Sequence, residues 1–257
     1  MKTYDCFLFF DELEVLELRL KTLDPVVDYF VLVEAPWTFS GKPKPLYYHD
    51  NPGPFAKWAP KIRNIVLTGT LDTHDGRLGA WHREFASRNA MTAGFQDAAP
   101  DNLIFQSDCD EIWRPESKFT QLDEQSVTTY LQTLCYFHLN AVREPRIDWH
   151  GTRRVRAGDW PGGQNLRRMK GATLQNGGWH FSFLGDAEAA RSKMKAFSHT
   201  EYSGDEYSGL DKLERDIADG ADPINPEARY VPIPVDDTFP KPLLEEPWRW
   251  ARHIRPA

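Results

Sequence analysis

The first third of the chain alternates apolar runs with amphipathic ones. Tyr4 to Phe10 is almost continuously apolar (Cys6, Phe7, Leu8, Phe9 and Phe10) and predicts a buried strand. From Asp11 to Leu23, residues Leu13, Leu16, Leu20 and Leu23 recur at helical spacing, with Glu14 and Glu17 turned outward. Asp24-Pro25 ends that helix, because proline cannot continue it. Tyr29 to Glu34 is a second apolar run. Strand, helix and strand in so short a span form a βαβ unit, which predicts parallel pairing and a right-handed crossover. Lys42 to Pro60 is rich in Pro and Gly and reads as a loop. A third strand over Ile62 to Leu67 follows, then a helix over Gly79 to Ala93 with Trp81, Phe85 and Met91 inward, then a strand over Leu103 to Phe105.

The second half is less regular. Thr129 to Val142 alternates aromatic and polar positions (Tyr130, Leu134, Tyr136, His138) and suggests strand structure of an antiparallel kind. Asp148 to Gly163 reads as irregular. Past Gly177-Gly178 and Trp179 to Phe183, a helix is expected from Asp186, a good N-cap, to about Phe197. Another runs from Ser208 or Leu210 to Asp219 and stops at Gly220. The tail from about Asp222 is rich in Pro and is expected to wrap over the surface with Trp248 and Trp250 docked. There is no internal repeat and no linker, so 1–257 reads as one α/β domain with a mostly parallel sheet flanked by helices.

Composition narrows the function. A net charge of −7 argues against non-specific nucleic-acid binding, which needs a basic face. The basic concentrations are Arg153, Arg154 and Arg156, then Arg167, Arg168 and Lys170, a solvated face or a receiver for an anionic substrate. Cys6, Cys109 and Cys135 form no paired framework, so a reducing compartment is the simple reading. No signal peptide opens the chain and no window has the length of a transmembrane helix, from which a soluble cytoplasmic protein is expected.

The chemistry concentrates where the Leu103–Phe105 strand feeds into Asp108-Cys109-Asp110-Glu111. Crowded carboxylates repel, and a divalent cation with a phosphate relieves that repulsion. In open parallel sheets the ligand sits beyond the carboxyl ends of the strands, which places Asp11, Glu34 and the Asp108 cluster at one edge.

Together these motifs resemble glycosyltransferase family 17, which includes the β-1,4-mannosyl-glycoprotein β-1,4-N-acetylglucosaminyltransferase. The similarity is carried by Asp11-Glu12-Leu13-Glu14-Val15, Val26-Val27-Asp28, Glu34 and Gly41-Lys42-Pro43-Lys44-Pro45-Leu46. It continues through Asp108-Cys109-Asp110-Glu111-Ile112 and Gly178-Trp179-His180 with Glu188 and Lys193 beyond, spanning roughly residues 5 to 215. The resemblance implies a GT-A type fold and an inverting transfer from a UDP-sugar, with GlcNAc the expected sugar and a glycan or other hydroxyl compound as acceptor. It does not carry over the reaction on glycoproteins, because this chain shows no membrane anchor.

On this reading Asp110 is a ligand of Mn²⁺ or Mg²⁺, Asp108 reaches the metal through water or holds the ribose, and His180 completes the shell, with His199 its rival. Gly177 and Gly178 would let the backbone approach a phosphate. Inversion needs a base, for which Glu188 is the first candidate and Glu111 the second. Glu34 would meet the uracil or ribose, and Arg88 and Lys193 the phosphates. Trp37 and Trp179 could stack on a sugar, although large aromatics usually serve packing. Two other classes compete: a non-catalytic nucleotide-sugar or glycan-binding protein, and a phosphohydrolase with Asp-x-Asp after a strand. The latter wants Ser or Thr where this chain has Ile112.

Overall fold

The computed structural model describes residues 1–68, 76–120 and 127–257. Its elements run β1 (Thr3–Leu8), α1 (Leu13–Leu23), β2 (Tyr29–Glu34), β3 (Ile62–Val66), α2 (Gly76–Ala90), β4 (Leu103–Asp108), β5 (Glu111–Trp113), β6 (Thr128–Tyr136), β7 (Ala141–Glu144) and β8 (Asp148–Arg156). Then come α3 (Gly163–Arg168), β9 (Ala172–Ser182), α4 (Ala187–Ala196), α5 (Asp205–Ser208), α6 (Leu210–Asp219), β10 (Arg229–Pro232), α7 (Lys241–Glu245) and α8 (Pro247–Trp250).

β3, β2, β1 and β4 lie side by side and all parallel, as the βαβ pattern requires. β1 is buried throughout because it is covered on both faces, and Asp5 is the one charge it takes inside. Phe7 packs in one cluster with Leu16, Leu20 and Leu23 of α1, while Tyr4, Cys6 and Leu8 join Met91 and Phe95 after α2 on the other. The register sets Leu8 level with Val33 and with Asp108, so three strands end at one edge.

Beyond β4 the sheet becomes mixed. β8 runs antiparallel to both β4 and β6, and β9 runs parallel to β6 and antiparallel to β5. A parallel Rossmann-like half continued by this mixed half is the GT-A type α/β fold that the resemblance implied. β6 does pair antiparallel with β7 and β8, as its alternation suggested.

Three expectations are corrected. Asp148 to Gly163 is not irregular: its first nine residues are β8, inserted between β4 and β6. The tail is not all wrapping coil, since β10 adds an edge strand beside β7 and α7 and α8 follow. Only one of its two tryptophans docks, Trp250 being fully buried and Trp248 76% exposed. The expected helix ends hold: Asp186 accepts the amide of Ala189 at 3.0 Å, and Gly220 ends α6 at φ +64°.

Candidate active site

The edge where β1, β2 and β4 end opens into a cavity of about 510 Å³, closed on other sides by α2 and α4. Asp108 is the last residue of β4, and the turn after it presents Asp110 before β5 begins at Glu111. β5 pairs with β9 so that Glu111 lies opposite His180. Asp108, Asp110, Arg88, His180 and Lys193 all line the cavity.

These groups are matched in charge. Asp110 Oδ2 accepts from Lys193 Nζ at 2.6 Å and lies 3.3 Å from His180 Nε2. Lys193 also lies 3.2 Å from Glu12. Asp108 is held by Arg88 at 3.0 Å and by Arg167 at 3.5 Å. Arg88 in turn donates to Glu84, one helical turn away, at 2.7 Å. Burial opposes the charge of Asp110, but Lys193 and His180 outweigh it and hold the carboxyl well below its ordinary range. Lys193 mirrors this: burial works against it, and Asp110 and Glu12 raise it above the usual lysine value.

Glu111 does not line the cavity. It is fully buried, with Arg167 forking onto its two oxygens at 2.7 and 2.8 Å, Trp149 Nε1 donating to Oε1 at 2.7 Å and the Asp108 amide donating to Oε2 at 3.1 Å. Burial pushes its carboxyl up, yet Arg167 wins and brings it down to about 2. A carboxylate so occupied braces the acidic turn, and the structure does not bring it, the second expected base, onto the cavity wall. Glu188 lies exposed in the first turn of α4, off the cavity wall, so the structure does not bring the other expected base to the site either.

Glu34 is likewise committed. It is buried, and it accepts the backbone amides of Tyr48 and His49 at 3.1 and 2.9 Å, fixing the loop after β2 rather than facing the cavity. His199 reaches the wall but pairs with Glu201 at 3.1 Å and meets Trp81 edge-on, apart from the Asp110–His180 pair. Trp37 lines the cavity, whereas Trp179 is buried under Arg114 with its Nε1 on the Thr238 carbonyl. Gly177 and Gly178 serve strand packing instead of a phosphate. A Cβ on Gly178, whose φ is +139°, would fall 2.1 Å from the Ile112 carbonyl oxygen, and one on Gly177 2.8 Å from Tyr130 Cβ.

Among the described residues no three His, Cys, Asp or Glu side chains converge into a metal cage. Asp110 and His180 are one adjacent oxygen–nitrogen pair, and the His180 Nδ1 is buried without a partner. That pair offers one oxygen and one nitrogen, the oxygen shared with Lys193, so an ion seated there would be held mainly by phosphate oxygens and water. Asp108, engaged by two arginines, fits such a shell less well.

No role was expected for Glu12, Lys44 or Trp149 on the wall, and Arg167 was expected only as one of a basic cluster, a solvated face or a receiver for an anionic substrate. Glu12 sat in the quoted acidic stretch after β1, a signal in hand; the contacts of Arg167 with Asp108 and Glu111 span more than fifty residues and left no local pattern.

No curated protein matches this chain. Among solved structures it is similar to the Francisella tularensis 2-C-methyl-D-erythritol 4-phosphate cytidylyltransferase, at 12% identity over 62% of this chain and 74% of that one, TM-score 0.35. It is similar also to the inositol-1-phosphate CTP transferase from T. maritima, at 13% identity over 68% and 85%, TM-score 0.36. A third is a glycosyltransferase involved in the glycosylation of the major capsid of PBCV-1, at 9% identity over 68% and 81%, TM-score 0.28. Likeness at that level carries no weight for the chemistry. Residues 1–228, which include every residue of the cavity wall, match the glycosyltransferase family 17 profile, and the chain belongs to glycosyltransferase family 17.

Proposed function

We propose that this glycosyltransferase moves a sugar, GlcNAc first among the candidates, from a UDP-sugar to a hydroxyl of a glycan or other acceptor, with inversion and with Mn²⁺ or Mg²⁺. The observation that carries the reading is the convergence of Arg88, Arg167 and Lys193 with Asp108 and Asp110 on one cavity at the strand ends. Three cations within reach of one another suit a diphosphate, whose negative charge grows as the donor bond breaks. Arg88 and Arg167 offer planar forks to phosphate oxygens, and Lys193 a single strong donor. Asp110 and His180 would hold the metal, which supplies Lewis-acid charge stabilisation to the leaving diphosphate. Trp37 and Trp81 on the same wall offer apolar faces for a ring of the donor.

The test is UDP release from a panel of UDP-sugars with several glycan acceptors, each with Mn²⁺, Mg²⁺ or chelator. Turnover that needs the divalent ion, and that Asp110→Asn abolishes in a protein that still melts in one cooperative transition, is the expected result. Donor binding without turnover for any acceptor would favour a non-catalytic nucleotide-sugar binder instead.

A further inference from the structure

Arg19 lies on the inner face of α1 and is completely buried, yet it belongs to none of the groups on the cavity wall. Its Nε and Nη2 fork onto the two oxygens of Asp5, each at 2.7 Å, and both residues are fully shielded from solvent. Nη2 also donates to Ser107 Oγ at 2.6 Å. Nη1 faces the carbonyl oxygens of Asp108, Cys109 and Glu111 at 3.1, 3.0 and 3.0 Å. Trp113 Nε1 closes the network by donating to Asp5 Oδ1 at 2.9 Å.

Three carbonyls of one tight turn, aimed at a common point, repel one another unless a cation occupies that point. Arginine's five N–H donors in a fixed plane serve the carboxylate, the hydroxyl and three carbonyls together, the two on Nη1 being shared among the three carbonyls. Stability alone does not call for such an arrangement, since a buried ion pair is often matched or bettered by apolar residues of similar volume. What apolar residues cannot reproduce is the conformation of the turn.

We propose that Arg19, seated on Asp5, is a positioning residue: it sets the 108–111 turn by its carbonyls and thereby aims the Asp108 and Asp110 carboxylates into the cavity. The importance of that aim for ligand binding rests on the diphosphate reading given above; the clamp itself does not.

The decisive variant is the paired swap Asp5→Leu with Arg19→Met, which removes both charges together and so avoids stranding either one. Arg19→Lys, which keeps the charge opposite Asp5 but lacks the planar fork, is its companion. Hydrogen–deuterium exchange is read peptide by peptide, beside calorimetric titration with UDP and Mn²⁺. In both variants the 106–113 peptide is expected to exchange at least tenfold faster, with peptides from β2 and β6 unchanged and UDP affinity down tenfold or more. A folded variant whose 106–113 peptide keeps wild-type exchange overturns the proposal. Faster exchange in that peptide, together with a wild-type protein that ignores UDP, upholds the clamp and counts against the diphosphate reading alone.

Discussion

Glu111 and Glu188 look equally free in sequence and sit in opposite surroundings. Glu111→Gln would strip Arg167 of its two-pronged partner and leave it, among the described residues, only the Asp108 ion pair at 3.5 Å; breaking a buried pair typically costs about 3–5 kcal/mol, and urea unfolding should show a loss toward that size. Glu188→Gln touches an exposed side chain off the cavity wall and should leave both the melting midpoint and the transfer rate within about twofold of wild type. Asp11 supplies a pH dependence. Burial, with the neighbouring Glu12 charge, pushes its carboxyl up to about 7, so folding favours its protonated form. The stability it confers is complete below the ordinary carboxyl range and is lost as pH rises through about 7. Asp11→Asn should therefore raise the melting midpoint most at pH 8, less at pH 5, and change it little below the ordinary carboxyl range. Asp108 and Asp110 could be singled out in sequence because an apolar run delivers them together. Arg88 and Lys193 were expected at the phosphates, but their pairing with these carboxylates, and that of Arg167, joins three separate helices to the turn and left no local pattern.

At the scale of elements, β1, α1, β2 and β3 could be read within a residue or two because burial on both faces or one stripe leaves an unmistakable pattern. β8 could not. Its charged residues are served inside the sheet: Arg153 donates to the carbonyls of His150 and Gly151, and Arg154 to those of Lys118 and Thr120 and to Thr128 Oγ1. A strand whose arginines satisfy backbone groups needs no apolar alternation, so nothing in the sequence announced it. The glycine pair before His180 was visible but its purpose was not, because strand contact and phosphate approach both call for a missing side chain. Gly178→Ala tests the difference. The strained backbone alone should cost about 1–3 kcal/mol, the clash with the Ile112 carbonyl adds to it, and thermal unfolding should register the loss even with no ligand added.

For the whole molecule, the stretch beyond residue 228, outside the family match, acts as a clasp on α1. Arg249, Arg252 and His253 contact Glu14, Arg249 also holds Glu17 at 2.5 Å, and Lys21 meets Glu246. Trp250 fills the core cluster that contains Leu16 and Leu20. Truncating a fully buried tryptophan costs about 3–5 kcal/mol, so Trp250→Ala should unfold at clearly lower urea, whereas Trp248→Ala should stay within about 0.5 kcal/mol. The sequence suggested that the tail covers the surface, but which tryptophan anchors it depends on the rotation of a four-residue helix that no periodicity could report.

Among the described residues, the four acids on the cavity wall, Glu12, Glu84, Asp108 and Asp110, are already neutralised by Lys193, Arg88 or Arg167. A newcomer therefore gains those cations only by outcompeting resident counterions. A chloride or a single sulfate has too little charge to win several at once, while a polyphosphate can. On the proposed diphosphate reading the cleft would sort visitors by valence before any sugar or base is met, and common salts should be poor inhibitors, which UDP release at rising chloride and sulfate checks.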